Sequence, residues 1–170
     1  LMFVDWKEDL NVQLGWPGNW VKLQALVISL SFSGKISISY FQNKDLDSFI
    51  SGHQKCFQDL NGMADFIRPD CLKSAVKKWN GLNSELNNRY RSYLNRLGIK
   101  AYPARPGKAT DKGKVEKRIR DFFYSIDFKH RIFTDINDLQ NYSNKKIAEL
   151  EKRWRSSTTG NTGQKPQRAL

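Results

Sequence analysis

Met2, Val4 and Trp6 alternate with Phe3 and Asp5 at the head of the chain, the two-residue period of a strand, and the cluster Trp16-Pro17-Gly18-Asn19 reads as a turn. Leu26, Ile28, Leu30 and Phe32 then share one face of a second strand, and Ser33-Gly34-Lys35 turns the chain. Ile36, Ile38 and Tyr40 line one face of the return strand, with Ser37 and Ser39 opposite. The period changes at Asp45, a capping residue for a helix on which Leu46, Phe49, Ile50, His53, Phe57 and Leu60 recur at three- and four-residue steps as far as Asn61-Gly62. Ala64 to Arg68 is a short apolar run stopped by Pro69, long enough for one buried strand that delivers Asp70 at its carboxyl end.

Beyond that strand, Leu86, Tyr90, Tyr93, Leu94 and Leu97 fall on one face of a second helix that stops at Gly98, and Ile99 to Tyr102 makes a last short strand. Arg105-Pro106-Gly107-Lys108 is a loop. From Asp111 to Phe123 a helical stripe runs through Val115, Ile119, Phe122 and Phe123, and a long final helix uses Ile136, Leu139, Ile147, Leu150 and Trp154. Residues 1–155 are thus expected to form one domain, with 156–170, rich in Ser, Thr, Gly and Gln, as a tail or the beginning of a linker. Three strands, then helix, strand, helix, strand and helix, predict an α/β fold, a mixed five-stranded sheet flanked by helices.

Composition narrows the function classes. The longest apolar stretch, Leu23 to Phe32, is too short and too polar for a bilayer, so no membrane span is expected. The start LMFVDWKEDL carries no secretory leader and reads as the beginning of a fragment. Cys56 and Cys71 show neither zinc-site nor disulfide spacing, which suits a reducing cytoplasm. The net charge of +12 is unevenly spread: residues 1–72 hold 6 basic and 8 acidic side chains, whereas residues 73–170 hold 23 basic and 9 acidic ones. A polyanion is the partner such a surplus attracts, nucleic acid before an anionic membrane surface.

Three acids suit a metal. Asp5 lies within the first strand, Asp70 ends the fourth, and Glu116 lies in the first turns of the helix after the fifth, and a sheet can bring all three to one point. A hard divalent cation takes oxygen ligands, and an ionised carboxylate inside a sheet is costly unless paired, which favours a metal role for Asp5. Asp70 also reads as a turn or capping residue, Glu116 as part of a solvated helix face between Lys114, Lys117 and Arg120, and Asp111 competes as third ligand or serves as a cap. Lys73, Arg105, Lys108, Lys112, Lys114, Lys117 and Arg120 bracket two of the acids and are candidates for phosphate contacts, or for plain surface solubility. His53 and Cys56 read as a core-edge histidine beside a buried thiol rather than a metal pair, and His130 has no companion. Trp16, Trp20, Trp79 and Trp154 suit core or interface packing better than base stacking.

The runs FVDWKE (Phe3 to Glu8), RPDCLKSAV (Arg68 to Val76), LNRLGIKAYPARPGKATDKGKVEKRIR (Leu94 to Arg120) and STTGNTGQKP (Ser157 to Pro166) resemble the catalytic region of IstA-type insertion-sequence transposases, members of the retroviral integrase superfamily. The resemblance covers nearly the whole chain. It implies an RNase H-like fold and a metal-binding DDE triad, which maps onto Asp5, Asp70 and the Glu116 of the K-G-K-V-E motif. Cys71 stands where the family has Asn. The implied activity is DNA strand cleavage and strand transfer by two-metal phosphoryl transfer, with two Mg2+ (or Mn2+) ions per active site. Implied partners are DNA, as element ends and target, further copies of the chain assembled on that DNA, and a helper ATPase of the AAA+ type. Rival readings are a non-catalytic DNA-binding or assembly domain of the same fold and an RNase H-like nuclease acting on RNA.

Overall fold

The computed structural model describes residues 1–69, 76–78, 85–101 and 109–156, with the backbone alone at 76–78, 85 and 109–112. Three strands lead, β1 (Met2–Leu14), β2 (Trp20–Leu30) and β3 (Ile36–Phe41), followed by helix α1 (Leu46–Leu60). Next come β4 (Phe66–Pro69), β5 (Val76–Lys78), β6 (Glu85–Leu86), α2 (Asn88–Arg96), β7 (Lys100–Ala101), α3 (Ala109–Tyr124), β8 (Ile132–Phe133) and α4 (Ile136–Ser156). The sheet runs β3-β2-β1-β4-β7, antiparallel among the first three strands and parallel from β1 outward. β8 adds a sixth strand parallel to the far end of β1, and β5 with β6 forms a separate ribbon.

Each sheet face buries its own core. Met2, Val4, Trp6, Leu26 and Ile28 pack beneath α1 and α2 with Phe49, Cys56, Tyr90 and Leu94. Leu23, Ala25, Val27, Ile36, Ile38 and Tyr40 pack on the opposite face with Phe122 of α3 and Leu139, Ile147 and Leu150 of α4. Two polar contacts fasten α4 to β3: Gln140 Nε2 donates to Ile38 O at 2.6 Å, and the Tyr40 and Ser143 hydroxyls pair at 2.8 Å. The β3 serines are buried too. Ser37 donates to Asp59 Oδ2 at 2.9 Å, and Ser39 meets Cys56 Sγ at 3.6 Å, so small hydroxyls let α1 lie close to the sheet. Gly52 serves the same approach, since a Cβ there would stand 2.4 Å from Leu26 Cδ2.

The capping of α1 follows the sequence. Asp45 accepts from Ser48 N at 2.7 Å, and Asn61 closes the helix in the left-handed region at φ 51°. Leu86 instead belongs to β6, ahead of the cap Asn87; its four-residue spacing to Tyr90 imitates a helical stripe. Phe32 lies in the turn after β2 and is 92% exposed, because the chain leaves the sheet at Leu30.

β1 carries a bulge. The pairing with β2 slips between Lys7 and Leu10, with Asp9 at φ 54°. Gln24 holds it with both ends of its amide, accepting from Asp9 N at 3.1 Å and donating to Asp9 Oδ1 at 3.2 Å. Even-numbered β1 residues therefore change sides: Met2, Val4 and Trp6 enter the α1 and α2 core, whereas Leu10, Val12 and Leu14 pack with the α3 and α4 core.

Candidate active site

β1 and β4 run side by side in parallel, with Phe3 opposite Arg68 and Val4 opposite Pro69. The next residue along β1 is Asp5; the residue after Pro69 is Asp70, which lies outside the described residues. Asp5 is paired across the sheet with Val27, so its side chain belongs to the face that α3 and α4 cover. Its Oδ1 accepts from Trp6 N at 2.8 Å.

Asp5 is exposed, which corrects the expectation of a carboxylate buried in the sheet. Both α3 and α4 lie against β3, and their cover stops short of this part of β1. The cost of burying a charge is thus no argument for a metal at Asp5. Its position beside the carboxyl end of a parallel neighbour remains one, because ligand sites in open α/β sheets gather outside such strand ends.

Glu116 lies on α3 and is exposed, while the adjacent Val115 is buried and Phe122, seven residues on, is fully so. That spacing sets the inner side of α3 and turns the Glu116 position outward. Arg118 fixes the helix against its surroundings. Its Nη1 donates to Ser33 O at 2.9 Å, and its guanidinium stands 4.9 Å from the centre of the Trp154 ring on α4. Gly34, at φ 66°, makes room, as a Cβ there would come within 2.1 Å of Arg118 Nη1.

Lys114, Lys117 and Arg120 are exposed beside Glu116 on the same helix. Lys73, Arg105 and Lys108 lie outside the described residues, as does the side chain of Lys112. Asp5 and Glu116 supply the hard carboxylate oxygens that a magnesium ion takes, so their chemistry fits one. Among the described residues no three His, Cys, Asp or Glu side chains converge.

His53 is structural. Nδ1 donates to Phe49 O at 2.7 Å, and Nε2 receives the Tyr90 hydroxyl at 3.1 Å. Burial lowers its pKa to about 4 and raises that of the Cys56 thiol to about 11, so the thiol stays protonated and the neutral ring has both nitrogens taken by Phe49 O and the Tyr90 hydroxyl, which leaves neither group disposed to bind a metal. His130 does have a companion, Asp127, whose Oδ2 is 3.0 Å from Nδ1. Trp154 is half-buried under Arg118, and Trp79 lies outside the described residues. Trp16 and Trp20 are 64% and 49% exposed, so of the expected core or interface packing the core part does not hold for them; Trp16 lies in the hairpin turn and Trp20 at the first position of β2.

Solved integrase catalytic cores share this architecture. The HTLV-2 integrase catalytic core domain in complex with magnesium, in its trimeric form, matches with a TM-score of 0.55 at 16% identity, over 88% of this chain and 82% of that one. The catalytic core domain of BIV integrase matches with a TM-score of 0.53 at 10% identity, over 93% and 97%. The fold is the RNase H-like fold of integrase catalytic cores. In sequence the chain is 26% identical over 169 residues to a putative transposase for insertion sequence element IS5376 of Geobacillus stearothermophilus. That match takes in 94% of this chain and 39% of the relative, so the chain spans about two-fifths of the relative's length. No family model matches. The resemblance to insertion-sequence transposases and integrase cores, first visible in the motifs, is borne out. Among the described residues no helix is long and apolar enough to cross a membrane.

Proposed function

We propose that this chain is the catalytic core of a DDE transposase, cutting and joining DNA by in-line phosphoryl transfer. One observation carries the reading: the parallel pairing that sets Val4 opposite Pro69 leads both strands directly into the two aspartates of the motif, Asp5 and Asp70. In this reading Asp5, Asp70 and Glu116 hold two magnesium or manganese ions. Once bound, such ions supply charge neutralisation at the reacting phosphate and ease deprotonation of the attacking oxygen.

The protein's own part is placement. Asp5 lies on β1, one residue past the Val4 that pairs with Pro69, and Asp70 follows Pro69 in the sequence, which supports a shared site for the two aspartates. Glu116 completes the set from α3, whose rotation Arg118 fixes through Ser33 and Trp154. Lys114, Lys117 and Arg120, together with Lys73, Arg105, Lys108 and Lys112, engage phosphates on either side of the reacting one and position DNA without reading its sequence. Water opens the strand at the element end, and the exposed 3′ hydroxyl then attacks target DNA; no side-chain nucleophile takes part. The working form is an oligomer on paired element ends, served by an AAA+ helper ATPase.

Asp5→Asn, Asp70→Asn and Glu116→Gln keep size and remove the charge that holds the cation. Each is expected to abolish magnesium- or manganese-dependent joining of pre-cut ends by the complete protein, with melting temperatures unchanged. Wild-type joining by any one variant removes that residue from the site. Wild-type joining by all three would leave the fold as a DNA-binding or assembly domain.

A further inference from the structure

Past the bulge, no helix among the described residues covers one face of the second half of the β1–β2 hairpin. Val12, Val21 and Leu23 turn into the α3 and α4 core, so the intervening residues face the other way. Those residues are Asn11 and Lys22, paired across the strands, and Gln13 and Trp20, the next pair along; Ile132 of β8 flanks Gln13 on its other side. Asn11, Trp20, Lys22 and Ile132 are exposed. The loop after α3 crosses the sheet edge to meet this face, and Asn11, Trp20, Phe128 and Lys129 line an open cavity of about 530 Å³.

The surface is held rigid from below. Gln13, 7% exposed, donates from Nε2 to Lys129 O at 2.9 Å and accepts from Gly18 N on Oε1 at 2.8 Å. One buried amide thus fixes both the hairpin turn and the loop that brings Phe128 and Lys129. Binding to such a surface orders little that is not already ordered.

An exposed indole stands beside a cavity whose wall is the half-buried Phe128, itself stacked on Phe123, with Lys129 in the lining and Lys22 two residues from Trp20 on the same strand face. Such a surface matches the two parts of a nucleotide: a flat base that stacks and a phosphate that pairs. Lys22 and Lys129 are the cations here, and the nearby Asp127 is engaged by His130. Asp5 lies six residues away along β1, about 20 Å at strand rise, and on the other face of the sheet. A ligand on this face is therefore held apart from one at the carboxylates. We propose that Trp20, Phe128, Lys22 and Lys129 form a second DNA-contact site, which stacks an unpaired base on Trp20 and holds the flanking phosphates on the two lysines. The proposal rests on the DNA-joining reading of the chain and adds a site to it.

The test uses the 170-residue chain with a fluorescein-labelled 12-nucleotide deoxyoligonucleotide, single-stranded or as a blunt duplex, in anisotropy titrations across a salt series. Trp20→Ala is expected to weaken single-strand binding about 5- to 150-fold, the loss of one stacked base, and duplex binding less than twofold. Trp20→Phe retains most of the affinity, which separates stacking from any effect on folding. Lys129→Glu flattens the single-strand salt slope by about 0.7, the share of one phosphate. If Trp20→Ala binds both probes like wild type, the site is overturned while the DNA-joining reading stands. Absence of DNA binding by the wild-type chain at low salt would sink both. Tighter binding of the same sequence as RNA, or a change in sedimentation on Trp20→Ala with oligonucleotide affinity unchanged, would assign the face to RNA or to a protein partner and overturn the proposal.

Discussion

Lowering the pH below 6.5 should destabilise the fold through His53 alone by a predictable amount. The ring is fully buried among Phe49, Phe57, Tyr90 and Tyr93, with one nitrogen donating to Phe49 O and the other receiving the Tyr90 hydroxyl. It is therefore held neutral, with a pKa of about 4 in the folded state against 6.5 for an ordinary histidine. Between those values the unfolded chain binds a proton that the folded chain refuses. The stabilisation from His53 is thus fully present above pH 6.5 and is lost as pH falls through about 4. A difference of this size amounts to about 3 kcal/mol, at a little over 1 kcal/mol per pH unit through the steep part. Urea unfolding of wild type and His53→Gln at half-unit steps from pH 7.5 to 4 measures it. Carboxylates such as Asp45 and Asp127, whose pKa values are lowered by their hydrogen bonds, contribute to both proteins, so the difference between the two curves isolates His53. Parallel curves, or a His53 ring proton that titrates near 6.5 by NMR, would refute the reasoning.

Gly52→Ala should cost about 1–3 kcal/mol of unfolding free energy, read as a lower denaturant midpoint, although alanine is the better helix former. Its methyl meets Leu26 Cδ2 at 2.4 Å and the Phe41 ring at 3.0 Å, and a gain in stability would show that α1 can shift outward at little cost. Charge reversal at Lys112, Lys114 and Arg120 together should flatten the salt dependence of duplex DNA binding by about 0.9 in logarithmic slope for each phosphate that α3 no longer neutralises. An unchanged slope in anisotropy titrations would move the DNA path away from α3, toward Lys73, Lys77 and Lys78.

Much of the fold was legible because its signals are local. The Asp45 cap, the Asn61-Gly62 stop and the alternation through Ile36 to Tyr40 each need only neighbouring residues to be read. The bulge was not, for a specific reason. Met2, Val4, Trp6, Leu10, Val12 and Leu14 keep one even-numbered alternation, which reads as a single face, while the extra residue at Asp9 sends the two halves to opposite cores. β8 escaped because two residues cannot display a period, and its pairing partner lies more than a hundred positions away. At the candidate site, motif order located Asp5 and Glu116 on the expected elements, but the burial invoked for Asp5 depended on where the helices end over the sheet. No pattern within the strand records that. Trp20 reads as packing because composition cannot distinguish an aromatic facing a core from one facing solvent.

The bulge at Asp9 also determines which changes of length this chain can tolerate. A deletion of one residue between Lys7 and Leu10 would only remove the extra residue and leave a regular strand, with Lys7 still opposite Ala25 and Leu10 still opposite Leu23. A deletion at Trp6 or Lys7 that kept the bulge would instead turn Asp5 over into the apolar layer under α1. Extra residues inserted in the turn at 15–19 would lengthen the hairpin tip and leave the pairing at Asp5 as it is. Relatives of this chain are therefore expected to vary in length at the tip while keeping the count from the bulge back to Asp5 fixed. A strand with one irregular residue in its middle separates the part free to diverge from the part that must stay in step with Pro69.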